Sequence, residues 1–138
     1  MDVQVNLWAV VLATASSMVI GSIWYARKVF GNTWIKLARV DMKKNTGMFK
    51  PIAVTLIVSF ITAYVLAHVS FLSNQFFHHS FFQDSVTTAF WVWLGFTAAR
   101  FITHDAFEGR PAKLTVLNCA HELVTILVMG LIIGWMGV

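Results

Sequence analysis

LTVLNCAHELVTILVMGLIIGWMGV, Leu114 to Val138, is a run of 25 residues with a single acid, Glu122, and no lysine or arginine. A helix needs about 20 mostly apolar residues to cross roughly 30 Å of hydrocarbon, and this run is long enough. Backbone groups in lipid must be satisfied within the segment, so helix is the conformation expected of it. Three more apolar segments precede it, at about 7–25, 51–72 and 85–107, and the fourth is taken from about 112 to 138. The sequence therefore predicts an all-α protein, a transmembrane four-helix bundle formed as a single domain over residues 1–138.

Composition agrees. Hydrophobic residues make up 58% of the 138 residues and charged residues 12%, against roughly 25% charged in soluble domains. A soluble core could not hide so much apolar surface in so short a chain, so lipid is the expected solvent and partner. The formal net charge of +4 reflects where the bases sit and implies no nucleic acid. The single cysteine, Cys119, can form no internal disulfide.

The bases set the orientation. Arg27, Lys28, Lys36, Arg39, Lys43, Lys44 and Lys50 lie between the first two segments, and Arg100, Arg110 and Lys113 lie at or near the turn between the last two. The positive-inside rule puts both regions in the cytoplasm and both termini outside. MDVQVN carries Asp2 but no base ahead of the first segment, which reads as a retained span and not as a cleaved signal.

In GNTWIKLARVDMKKN, from Gly31, Trp34, Leu37 and Ala38 can share one face and Lys36, Arg39, Lys43 and Lys44 the other. That pattern predicts a short amphipathic helix on the leaflet, with those four bases contacting anionic lipid head groups. Between segments two and three, Ser73 to Asp84 reads as an outer loop rich in phenylalanine. Trp8, Trp91, Trp93 and Trp135 are expected in the outer interfacial belt, with Trp24, Tyr25 and Trp34 in the inner one.

Helices in lipid pack through small residues and interhelical hydrogen bonds. Ala13, Ser17 and Gly21 recur at four-residue spacing, and Gly130 with Gly134 forms a GxxxG pair. Such faces serve neighbours in the same chain, a homo-oligomer or a larger membrane complex.

Polar residues in the last two segments form the candidate site. Counted from the turn near Gly109, Glu122 lies roughly 18 Å along its helix and Arg100 roughly 14 Å along the antiparallel one. Lone charges at such depth are costly, which predicts that Arg100 and Glu122 pair, joined by Asn118, His121 and His104 in a buried polar network. Asp105, Glu108 and Arg110 would form a polar rim at the cytoplasmic end. No catalytic residue, metal site or cofactor is expected: HE at 121 and 122 is not HExxH, and no phosphate-binding or nucleophile-elbow motif is present. The network either ties two helices, giving a structural bundle, or lines the site of a small oligomeric transporter or channel. A membrane enzyme acting at the cytoplasmic interface is a third reading.

IGSIWYARKVFGNTW (Ile20 to Trp34), WLGFTAARFITHDAFEGRPAKL (Trp93 to Leu114) and LNCAHELVTILVMGLIIG (Leu117 to Gly134) resemble the family called domain of unknown function 1761. The family's usual proline after the tryptophan–tyrosine pair is replaced by Ala26 and Arg27. The resemblance implies a small multi-pass protein of the bacterial inner membrane and no known activity.

Overall fold

A computed structural model describes residues 3–40, 47 and 49–138, and all regular structure among them is helical. The helices are α1 (Leu7–Trp24), α2 (Asn32–Ala38), α3 (Phe49–Phe77), α4 (Phe81–Val92), α5 (Ala99–Phe107) and α6 (Ala112–Met136). A π-helical turn, Arg27–Gly31, leads into α2, and a second, Trp93–Ala98, joins α4 to α5. Three helices are long and apolar enough to cross a membrane: α1, α3 and α6. The third expected segment, 85–107, is helical but differs from a plain span. It begins at Phe81 and is interrupted by the π-helical turn.

Local chemistry sets the ends. Asn6 caps α1, its Oδ1 accepting from the amides of Trp8 and Ala9 at 3.1 and 3.3 Å. The Asn6 amide also donates to the Met136 carbonyl at 3.4 Å, which joins the start of α1 to the end of α6. After Tyr25 the chain breaks at an extended Ala26, φ −61° and ψ 142°, without a proline. Gly109, φ 65°, supplies the left-handed turn that ends α5, and Pro111 opens α6.

The expected outer loop Ser73–Asp84 shrinks to His78–Ser80. Ser80 caps α4 by accepting from the Gln83 amide at 3.2 Å. Asp84, 3% exposed, accepts from Asn74 Nδ2 at 2.8 Å and lies 3.1 Å from His79 Nδ1. A carboxylate one turn into α4 thus ties back the end of α3, and Asp84 belongs to the hairpin's interior. Asp84→Ala removes both contacts and leaves Asn74 with fewer partners. A loss of about 2 kcal/mol is expected, read as a lower midpoint in detergent unfolding, with Gln83→Ala on the exposed side as the control.

α6 packs on α1 and α4, and α3 packs on the same two helices, so α1, α3, α4 and α6 close a ring. Ala9, Val10, Ala13, Ala63, Leu66, Ala67, Ala89, Ile126, Met129 and Ile133 form its core. All lie toward the end that holds Asn6, His78–Ser80 and Met136. At the opposite end α3 carries no buried residue from Phe49 to Phe60, and α5 replaces α4 beside α6.

The small residues are used inside this ring. A Cβ on Gly130 would lie 2.8 Å from Ala89 Cβ, and one on Gly134 would lie 2.8 Å from Phe82 Cα. Only hydrogen at these positions lets α4 and α6 approach so closely. Ala13 and Ser17 are buried on α1, and Gly21 sits against His121.

One belt expectation also changes. Trp8, Trp91 and Trp135 are exposed. Trp93 instead turns inward and donates Nε1 to the Cys119 carbonyl on α6 at 3.0 Å.

Candidate functional site

The π-helical turn Trp93–Ala98 decides the site. A π turn spends one residue more than a regular turn. Everything downstream is therefore rotated by about 100° relative to an uninterrupted helix. Arg100 lies two residues beyond it.

The expected Arg100–Glu122 pair is absent. Among the described residues Arg100 has no carboxylate within ion-pair distance, and both Arg100 and His104 are exposed. The depth argument assumed an even helical path from 85 to 107, and the π turn breaks that path. Glu122 instead lies 3.2 Å from the Nδ1 of its neighbour His121 and is 40% exposed. The five network residues thus divide into two groups, and the network is not a single buried unit.

The first group surrounds His121. Its ring lies against Tyr25 and Trp24, at centroid distances of 4.9 and 5.8 Å. Trp24 in turn packs on Phe30 in the π-helical turn before α2. Neither His121 Nε2 nor Trp24 Nε1 has a hydrogen-bond partner among the described residues. This group fastens the end of α1 to α6.

Asn118 links the two groups. Its Oδ1 accepts from Trp34 Nε1 at 3.2 Å, docking α2 on α6. Trp34, Leu37 and Ala38 are half-buried, while Lys36 and Arg39 are exposed, so α2 is amphipathic as its pattern predicts. Lys43 and Lys44, expected to extend its basic face, lie outside the described residues.

The second group is a groove of about 370 Å³, lined by Phe96, Thr97, Arg100, Phe101, His104, Asp105, Glu108, Arg110 and Asn118. It opens beside α5, at the end of the molecule opposite Asn6 and Met136. The three rim residues meet here. Arg110 Nε bonds Glu108 and lies 3.8 Å from Asp105 Oδ1. That bond to Glu108, reinforced by its charge, raises the Arg110 pKa above the ordinary guanidinium value and keeps it a cation. Asp105, 6% exposed, accepts from the Thr115 hydroxyl at 2.6 Å. Its carbonyl accepts from the Arg110 amide at 2.9 Å, which closes the turn. The sequence predicts Asp105 at a polar rim; it meets Arg110 there, and the Thr115 hydroxyl ten residues on holds it buried.

Chemically the groove has apolar walls, Phe96 and Phe101, and a polar floor whose carboxylates are already engaged. Among the described residues no three His, Cys, Asp or Glu side chains gather as a metal site.

These features define an all-helical protein, among its described residues, with three helices long and apolar enough to cross a membrane and a polar groove beside α5. The chain belongs to the family described as Protein of unknown function (DUF1761), whose model matches residues 8–134. No curated protein and no solved structure matches it.

Proposed function

We propose that this is a four-span protein of the bacterial inner membrane, with both termini outside, that binds an amphiphilic molecule in the groove beside α5 at the cytoplasmic boundary. α4, the π turn and α5 together supply the third crossing. The spans form a four-helix bundle, with α2 lying on the cytoplasmic leaflet and Lys36, Arg39, Lys43 and Lys44 toward lipid head groups. The distribution of bases supports the orientation.

One observation carries the binding role: Phe96 and Phe101 line the same open groove as Arg100, His104 and Asn118. Aromatic walls beside a charged floor suit a ligand with an apolar body and a polar head. Gly130 and Gly134 are used against α4, so that pair gives no support to a self-associating bundle. The transport reading loses the Arg100–Glu122 pair on which its site was built.

The test places a photoreactive benzoylphenylalanine at Phe101, and at Val58 on α3 as a lipid-facing control, in cells. A groove that binds gives adducts at 101 dominated by one class of amphiphile, while those at 58 mirror the bulk lipid. Matching adducts at both positions refute binding. Protein adducts at 101 would favour an interaction surface instead.

A further inference from the structure

We infer that the groove takes the phosphate of an anionic phospholipid, with Arg100 as its principal contact. This rests on the amphiphile-binding reading above and specifies its ligand.

Most polar groups in the groove are already committed to partners within the chain. The groove's carboxylates are engaged: Glu108 by Arg110, and Asp105 by Thr115, with Arg110 nearby. Arg110 is correspondingly occupied. Asn118 has its oxygen fixed by Trp34, so the amide group left to a ligand is the N–H donor. Arg100 has no acidic partner among the described residues. What remains on offer is the Arg100 guanidinium and the Asn118 N–H, with the His104 ring and the Thr97 hydroxyl beside them, and the permanent positive charge among them selects for an anion. A zwitterionic headgroup brings its own cation beside the phosphate, which an anionic headgroup lacks.

Geometry narrows the anion further. Arg100 precedes the end of α5 by seven residues, so its Cα lies about 10 Å below that helix end. An arginine there buries its stem and carries its charge toward the boundary, where lipid phosphates reside. The planar fork of a guanidinium matches two phosphate oxygens. Phe96, 78% exposed, and Phe101 stand where acyl chains would descend. A free phosphate has no use for these walls, so the occupant is a lipid and not a soluble anion.

The experiment uses the full chain carrying the photoreactive residue at 101, in proteoliposomes of equal phosphatidylglycerol and phosphatidylcholine. Phosphatidylglycerol adducts are expected to exceed phosphatidylcholine adducts roughly fivefold, the scale of one arginine near an anionic surface. Arg100→Gln should bring the ratio close to one. Lys50→Gln, on exposed α3 and outside the groove, and excess inorganic phosphate should each leave it unchanged. Equal yields of the two lipids in the parent, which need no variant to interpret, would overturn the headgroup assignment while leaving amphiphile binding intact. Retention of the ratio in Arg100→Gln would overturn it, as would loss in the Lys50 variant or on adding phosphate. Failure of the amphiphile reading itself looks different: adducts at 101 would then match those at 58 for every lipid mixture.

Discussion

Gly134→Val is expected to destabilise the protein by about 3 kcal/mol, at the upper end of what overpacking usually costs. The first added carbon already meets Phe82 Cα at 2.8 Å, Ser85 Cβ at 3.1 Å and the Phe82 carbonyl oxygen at 3.2 Å. Two of these are backbone atoms, which cannot swing aside as a side-chain tip would, so α4 and α6 must part. Separation also disturbs Gly130, one turn earlier on the same seam. Titration with denaturing detergent, followed by circular dichroism, should show the midpoint fall. Gly95→Ala is the control, because nothing lies within 4 Å of a Cβ there. That variant should match the parent or exceed it slightly. A Gly134→Val protein as stable as the parent would mean that the α4–α6 seam is not this close.

Asp105→Ala is expected to cost about 2 kcal/mol, because it strands a buried hydroxyl. Thr115 is 9% exposed and donates to Asp105 at 2.6 Å. Without the carboxylate that hydroxyl loses its acceptor, and Arg110 keeps Glu108 alone. Thr115→Val removes the stranded group, so the double variant should be less destabilised than the two single losses added together. The coupling expected from a contacting pair is about 1 kcal/mol. Strict additivity would show that the two side chains do not meet.

Features set by local pattern were readable in the sequence, and those set by rotation or by distant partners were not. The apolar runs around α1, α3 and α6 are visible because hydrophobic length is a property of contiguous residues. The amphipathic pattern of α2 is local in the same way. The ends of the α3–α4 hairpin were missed because Asn74, His79 and Asp84 stabilise one another only once the turn is made. Trp93 was assigned to the belt because nothing nearby announces its bond to the Cys119 carbonyl, 26 residues away.

The site divides along the same line. Residue counting puts Arg100 and Glu122 at similar levels along their helices. Azimuth was not legible, since WLGFTA gives no obvious sign of the extra residue in its turn. A glycine in mid-segment, Gly95, is the one local hint of irregular helix. Asp105, Glu108 and Arg110 were grouped correctly in position because all three lie within one short turn. Glycine and alanine faces were likewise visible as packing surfaces, but their partner was not: α4 meets Gly130 and Gly134 through Ala89, Ser85 and Phe82, which carry no GxxxG pattern of their own.

Everything proposed for the groove depends on α4, the π turn and α5 crossing the membrane as one segment, which brings Arg100 to the cytoplasmic boundary. The direct measurement is labelling of single cysteines, His78→Cys and Gly109→Cys, each in a Cys119→Ser background, with a membrane-impermeant maleimide on intact cells. The account predicts that position 78 is labelled at once and position 109 only after permeabilisation. Labelling of both positions, or of neither, before permeabilisation would place the two ends of the segment on the same side and contradict it.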